Sequence, residues 1–209
     1  RIEIQQGDDF VNDERFISRI GTTDKIAAVY SLADYQWSKN LKIQLGLRYE
    51  NWTQDFSDAT LNRNFGKLFP SFFLNHSLSD TTALRFAYTK RITRPNYSDL
   101  ASFLSYNGPT SVFSGNPQLL PAITDNLTLT YSNKSLSVTL AAANEDNPFA
   151  RFQITKNPQS TVAVIAPVNL EYQRSLEIQT NIPVRISHWW NMNLNATAGI
   201  REFKLLHTA

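Results

Sequence analysis

Apolar and polar residues alternate along Leu41-Lys42-Ile43-Gln44-Leu45-Gly46-Leu47-Arg48-Tyr49-Glu50, and this run is the clearest signal of secondary structure in the chain. A period of two is typical of a β-strand with one apolar and one polar face. The alternation returns near residues 26–36, 68–78, 83–92, 126–131, 135–143, 169–182 and 191–203. The sequence therefore predicts an all-β protein made of long strands.

The connections between these strands fall into two classes. Short polar turns occupy residues 37–40, 79–82 and 132–135, whereas long links occupy residues 51–67, 93–124 and 144–168. This asymmetry is typical of an antiparallel, up-and-down transmembrane β-barrel, which has short turns at one rim and longer loops at the other. Within the third link, residues 151–154 and 161–165 alternate around Asn157-Pro158, which predicts a protruding hairpin.

The composition excludes several other classes of protein. Apolar residues make up 42% of the chain, yet no run approaches the roughly 18 apolar residues that a membrane-spanning helix needs. A net charge of +2 from scattered Lys and Arg does not indicate nucleic-acid binding. The chain has no cysteine and its three histidines are far apart, so we expect no metal site and no cofactor. Without a G-x-S-x-G or phosphate-loop motif, we expect no enzymatic activity.

The alternation alone leaves one alternative open. A soluble β-sandwich that binds a ligand or carbohydrate would show the same pattern, with its apolar faces turned inward. The two classes of connection and the length of the strands favour the barrel, since soluble strands average about five to six residues. Aromatic residues near the strand ends, as in barrel girdles, also favour it; they are Trp37, Tyr49, Trp52, Trp189 and Trp190.

Two central segments resemble a signature of TonB-dependent outer-membrane receptors. The first is residues 84–100, which include Arg94-Pro95-Asn96-Tyr97, and the second is residues 115–126, beginning Gly115-Asn116-Pro117. The whole chain is most similar to the Bacteroidetes-type outer membrane protein beta-barrel family, although Ala122 stands where that family usually has Glu. The residues that match the family motif are Arg94, Pro95, Asn96, Tyr97, Gly115, Asn116, Pro117, Leu119, Pro121, Thr124 and Asn126.

The resemblance implies a function in transport across the bacterial outer membrane. Complete family members are barrels of about 22 strands with a plugged lumen. Residues 1–209 would be an internal fragment of one barrel domain, holding about eight to ten strands, without the plug and the C-terminal strands. The implied partners are outer-membrane lipid and a scarce ligand, which would be a metal chelate, a cofactor or a glycan. TonB would act only through the missing plug.

The motif residues are expected to shape the rim rather than to perform chemistry. Pro95 favours an extended Arg94, which suits a strand leaving the wall. Asn116-Pro117 and Leu120-Pro121 are expected to keep the returning segment extended. Ligand contact is expected from loop aromatic and polar residues, unless these merely pack the loops against themselves. The candidates are Trp52, Phe56, Arg63, Tyr97, Phe103, Tyr106, Asn107, Phe113 and Asn116.

Overall fold

The computed structural model describes residues 3–6, 9–12, 21–101, 104–108, 110–156 and 162–205, and these are mostly β-strand. Besides a short 3-10 turn at Ala59–Leu61, they form one helix and thirteen strands. The elements are β1 (Glu3–Gln6), β2 (Asp9–Asn12), β3 (Thr22–Ser38), β4 (Leu41–Phe56), β5 (Arg63–Ser77), β6 (Thr82–Thr93), α1 (Tyr97–Leu100), β7 (Ser105–Gly108), β8 (Ser111–Phe113), β9 (Ala122–Asn133), β10 (Leu136–Asp146), β11 (Phe149–Lys156), β12 (Ala163–Arg185) and β13 (Asn191–Leu205).

Eight long strands form one antiparallel sheet, which we call the wall. Its strands are neighbours in the order β3-β4-β5-β6-β9-β10-β12-β13, so each wall strand pairs with the next one along the chain. This confirms the predicted up-and-down arrangement. In the described residues β3 and β13 do not pair with each other, so the wall is a partial, unclosed barrel.

The register places apolar residues in continuous rows across the wall, and we call this surface the apolar face. One row crosses all eight strands, and the next row repeats the pattern two residues away. Most large side chains in these rows are exposed. A sandwich would bury such a face, so the soluble alternative is wrong. The two rows are Ala33, Leu45, Phe72, Tyr88, Leu127, Ala142, Leu176 and Ile200, and Tyr35, Ile43, Leu74, Phe86, Leu129, Leu140, Ile178 and Ala198.

The opposite surface, the polar face, carries hydroxyl, amide and charged side chains in register. The side-chain hydroxyls of Thr130 on β9 and Thr139 on β10 form a hydrogen bond, with their Oγ1 atoms 3.0 Å apart. Cross-strand Thr pairs of this kind stabilise neighbouring strands. One row of this face contains Asn75, Arg85, Thr130, Thr139, Gln179 and Thr197. The surface therefore suits contact with water or with polar protein.

The first long link is shorter than the sequence predicts. β4 continues to Phe56 and β5 begins at Arg63, so only residues 57–62 connect them, not residues 51–67. The pattern misleads because its parity reverses at Glu50. On the side of the apolar face the residues become polar, while on the side of the polar face they become apolar or buried. The former are Asn51, Thr53 and Asp55, and the latter are Trp52, Gln54 and Phe56.

The protruding hairpin in the third long link is confirmed. β11 pairs antiparallel with the first part of β12, with Ile154 opposite Ile165. The expected turn at Asn157-Pro158 lies outside the described residues. Because β12 runs on without interruption from the hairpin into the wall, much of the predicted 144–168 link is strand rather than loop.

The connections divide the wall into two ends. Tight connections join β3 to β4, β5 to β6, β9 to β10 and β12 to β13 at one end, the short-turn rim. The other end, the long-link rim, carries the connection from β6 to β9 and the β11–β12 hairpin. In the part of the chain that the structure describes, no helix is both long and apolar enough to cross a membrane.

Candidate functional site at the long-link rim

The connection between β6 and β9 folds onto the polar face of β4 rather than away from it. Trp52 is 1% exposed and Leu119 is fully buried, and Leu100 packs with Leu119 and Phe56 in a small apolar core. The Trp52 ring stacks on Phe65 at 5.3 Å. Burying large apolar side chains on this side explains the reversed parity of β4, because here the inner surface is packed while the outer one faces water.

A buried carboxylate ties this connection to the wall. The Glu50 side chain is 1% exposed and forms ion pairs with Arg48 on the same strand and with Arg94 after β6. The Arg94 guanidinium also lies over the Trp52 ring, 5.3 Å from its centroid. Burial lowers the pKa of Arg94 below its ordinary value, the charge of Arg48 lowers it further, and Asp24 opposes the shift. An Arg remains charged through such a shift, so Glu50 keeps two cationic partners.

Arg63 makes a second attachment between the wall and the loop. Its Nε donates to the Gln54 side chain at 2.9 Å, while Nη1 and Nη2 donate to the carbonyls of Leu119 at 2.6 Å and Pro117 at 3.0 Å. Its guanidinium also lies over the ring of Phe56 at 5.2 Å. Buried carbonyls need donors, so Arg63 satisfies backbone groups that the loop cannot pair by itself.

The first half of the family motif forms a compact helical turn. The Asn96 side chain accepts from the backbone N–H of Asp99 at 2.9 Å, and the Asp99 carboxylate accepts from the Asn96 N–H at 3.3 Å. This reciprocal capping box starts α1 directly after the buried Pro95. Motif residue Tyr97 is the first residue of α1. The motif thus turns the chain back over the polar face immediately after β6 ends.

The second half of the motif holds the loop by its backbone. The N–H of Asn116 donates to the carbonyl of Asp99 at 2.7 Å, and its Nδ2 donates to the carbonyl of Pro167 at 3.1 Å. A Cβ on Gly115 would lie 2.4 Å from the carbonyl oxygen of Ala101, so only glycine permits this approach. Asn116 therefore joins the loop to both α1 and β12.

The expectation that residues 116–121 stay extended is wrong at its beginning. The Leu119 N–H donates to the Asn116 carbonyl at 3.2 Å, and the Gln118 N–H donates to the Asn116 side chain at 2.9 Å, which makes a turn at Pro117 and Gln118. Proline fits the second position of a turn because its φ is already set. The remaining motif residues lead into β9 or lie on its polar face; they are Pro121, Thr124 and Asn126.

A small second sheet stands above the wall. β8 pairs with the beginning of β12 in parallel and with β7 antiparallel, and β11 pairs with the other edge of β12. We call these four strands the rim sheet. It joins the β6–β9 connection to the β11–β12 hairpin, so the long-link rim is a folded unit built on the wall.

The structure separates the predicted ligand residues into two groups. Trp52, Phe56, Arg63 and Asn116 are packed or hydrogen-bonded inside the rim, as described above. Tyr97 is exposed, as is Tyr106 on β7, and Asn107 donates to the Ser111 hydroxyl at 2.9 Å. Phe113 on β8 packs edge-to-face against Phe152 at 6.0 Å. Phe103 lies outside the described residues.

Sequence reasoning missed several residues of the rim. In the sequence Glu50 is an ordinary residue of the polar face. Its role in attaching the loop depends on the ion pair with Arg94, which lies 44 positions later in the chain. Arg151 and Phe152 looked like parts of an alternating strand, yet they form a bulge between Ala150 and Gln153. No local pattern in the sequence marks that bulge. In the described residues, no cluster of His, Asp or Glu has the geometry to hold a metal ion.

An unclosed antiparallel wall with an exposed apolar face and a folded rim defines the class as an outer-membrane β-barrel. The chain belongs to the outer membrane protein beta-barrel family, whose family model matches residues 1–208. This membership places the protein in the bacterial outer membrane. No curated protein matches the sequence.

Solved structures with the same architecture are outer-membrane receptors. The siderophore receptor PirA from Pseudomonas aeruginosa matches with a TM-score of 0.65 at 15% identity, over 86% of this chain and 35% of that one. The alcaligin outer-membrane receptor FauA from Bordetella pertussis matches with a TM-score of 0.53 at 16% identity, over 88% and 31%.

A mutant of the ferric enterobactin receptor PfeA from Pseudomonas aeruginosa, in complex with enterobactin, matches with a TM-score of 0.57 at 15% identity, over 85% of this chain and 27% of that one. At such identities the likeness concerns the fold alone. The chain spans about a third or less of the length of these three receptors.

Proposed function

We propose that this chain forms part of the barrel wall and extracellular loops of a TonB-dependent outer-membrane receptor that takes up a scarce ligand. The observation that carries the proposal is the contrast between an exposed apolar face on eight strands and a folded rim at one end of it. Family membership and the fold of the siderophore receptors support it. The ligand would be a metal chelate, a cofactor or a glycan.

The share of the structural neighbours that the chain covers supports a proposed division of the receptor. Residues 1–209 would supply wall strands and loops of one barrel domain, while a plug and further strands would come from other parts of a longer receptor. TonB would act through that plug and not through these residues. The polar face would then meet water or the plug, and the apolar face would meet lipid.

Ligand contact is proposed for the loop residues on the long-link rim. The exposure of Tyr97 and Tyr106 and the position of Phe113 in the rim sheet support this role. Ligand contact by Phe103, Asn107 and Asn116 remains a prediction. For Trp52 and Arg63 it also remains a prediction, and their contacts support a role in holding the loop that presents the exposed residues. We propose no catalysis at this rim.

The function is tested by uptake in cells that lack the receptor gene and carry it back on a plasmid. Growth is followed with iron chelates, cobalamin or oligosaccharides as the limiting nutrient, in strains with and without TonB. The proposal requires one nutrient whose uptake needs both the receptor and TonB. Uptake that needs the receptor but not TonB would indicate a passive pore and would contradict the proposal.

A further inference from the structure

A groove opens on the long-link rim between α1 and the rim sheet, and we call it the rim groove. Its volume is about 310 Å³, and its lining includes Ser98, Asp99, Ser105, Phe113, Arg151 and Phe152. Ligand pockets range from about 300 to 1,000 Å³. The rim groove is at the lower end of that range, so its size suits one ring-sized group of a larger ligand.

The apolar side of the groove is an aromatic pair held in an unusual backbone conformation. Phe113 and Phe152 meet edge-to-face, with ring centroids 6.0 Å apart and ring planes at 72°. Phe152 has a φ of 62° and lies in the bulge of β11, yet its side chain is 71% exposed. Bulges re-aim side chains, and a left-handed φ is unfavourable for a bulky residue. Because the Phe152 ring is mostly exposed, its packing contributes little energy to offset this unfavourable backbone conformation.

The polar side of the groove offers an acceptor and a donor next to each other. The Arg151 Nη2 lies 3.5 Å from the Asp99 carboxylate, which is long for a hydrogen bond, and the Arg151 side chain is more than half exposed. The reciprocal hydrogen bonds of the capping box with Asn96 hold the Asp99 side chain in place. A guanidinium has five donors, so most donors of Arg151 remain available toward the groove.

We propose that the rim groove binds a ring that carries neighbouring hydroxyl groups, as in a sugar or a catechol. The face of such a ring packs on Phe152, while adjacent hydroxyls accept from Arg151 and donate to Asp99. A hydroxyl both donates and accepts, so it matches this pair without a net charge. The inference rests on the proposed function, since it assigns part of the ligand taken up at this rim.

The charges of the groove disfavour the two simpler ligand classes. A free anion would be attracted by Arg151 but repelled by Asp99, whose side chain is mostly buried beside it. A cation would be attracted by Asp99 but repelled by Arg151. A purely apolar group would leave the Asp99–Arg151 pair without water or hydrogen-bond partners, which is unfavourable.

The test measures binding of two small probes to the full-length receptor purified in detergent. Methyl β-D-glucopyranoside represents the sugar and catechol represents the aromatic diol, and each is titrated by saturation-transfer NMR. Phe152→Gly removes the ring at a backbone position that glycine adopts readily, so the fold is retained. Arg151→Gln removes the charge. Trp189→Ala and Arg185→Gln, exposed residues at the short-turn rim, are the matched controls.

We expect one probe to bind the wild-type receptor, and Phe152→Gly to weaken that binding by about tenfold, as is typical when an aromatic anchor is lost. Arg151→Gln should weaken it less, and both controls should leave it unchanged. Binding of the glucoside assigns a sugar ring, and binding of catechol assigns a neutral aromatic diol. Binding of neither probe, or binding that Phe152→Gly leaves unchanged, would overturn the assignment. TonB-dependent uptake is measured separately and would still support the receptor function.

Discussion

The wall and the long-link rim are built on the same strands, but their large apolar side chains lie on opposite faces of those strands. Along β4, the residues up to Tyr49 point large apolar side chains outward, as Leu45 and Leu47 do. Beyond Glu50 the large apolar side chains point inward, as Trp52 and Phe56 do. The strand does not change, but its packed side does: the apolar side chains are exposed on the outer face up to Tyr49, and beyond Glu50 they are buried under a packed loop on the inner face.

The position where the apolar side chains change face marks the end of the apolar face of the wall on β4, and β12 shows a corresponding end. On β12 the outward residues from Leu176 to Val184 belong to the apolar side, whereas Arg174 and Tyr172 above them are polar. This stretch covers about 27 Å along the strand at about 3.4 Å per residue. With a strand tilt of about 40° it spans about 20 Å of membrane, close to the roughly 25 Å apolar band of outer-membrane barrels.

The largest effect is expected at the rim, from loss of the buried carboxylate. Glu50→Ala leaves Arg94 partly buried without its partner, and breaking a buried pair in this way costs about 3–5 kcal/mol. We expect the free energy of unfolding to fall by that amount and the β6–β9 connection to become sensitive to protease. Glu171→Gln, which breaks the exposed pair with Lys204, is the control and should change stability little. Equal effects of the two substitutions would contradict the distinction between rim and surface.

The next effect is expected on the wall. Leu140→Arg places a charge on the apolar face, which costs about 2–4 kcal/mol near the middle of a bilayer. Its neighbour Ala141 points to the polar face, so Ala141→Arg should cost much less. Urea unfolding of the receptor reconstituted in lipid vesicles measures both. If the two variants were equally stable, the assignment of the two faces would be wrong.

A smaller effect is expected where the loop crosses α1. The Cβ introduced by Gly115→Ala would press against the backbone of Ala101, and overpacking of this kind costs about 1–3 kcal/mol. Gly108→Ala is the matched control, because the nearest atom to its new Cβ would be the Ser111 hydroxyl oxygen at 3.7 Å. Thermal unfolding should separate the two variants. A stable Gly115→Ala receptor would show that the loop is not tightly packed.

The smallest effect is expected at the short-turn rim and has the opposite sign. Lys134 has a φ of 52°, which is unfavourable for a residue with a side chain. Lys134→Gly should therefore stabilise the β9–β10 turn by up to about 1 kcal/mol. Ser135→Gly in the same turn is the control and should not stabilise, because no positive φ is relieved there. Thermal unfolding again gives the comparison.

The wall could be predicted from the sequence because the strands of an outer-membrane barrel follow a simple rule. Every second residue must be apolar, so runs such as Leu41 to Glu50 show the strand, its faces and its membrane setting together. The register then follows from the short turns. The prediction of about eight to ten strands needed only this local information.

The rim could not be predicted in the same way because its contacts connect distant residues. The Glu50–Arg94 pair, the bonds from Arg63 to Leu119 and the bulge at Phe152 leave no periodic trace in the sequence. The residues that match the family motif lie in the β6–β9 connection and at the start of β9. These residues act through backbone contacts, as at Gly115, which residue type alone does not reveal.

The most direct test of the lipid-facing wall uses single spin labels along β10. This chain has no cysteine, so once any cysteine elsewhere in the receptor is replaced by serine, cysteine substitutions from Val138 to Ala143 can be labelled one at a time in the receptor reconstituted in lipid. We expect collisions with oxygen, which dissolves in lipid, to be greatest at 138, 140 and 142. Collisions with a water-soluble nickel chelate should be greatest at 139, 141 and 143. Equal accessibility at all six positions, or the reverse alternation, would contradict the lipid-facing wall.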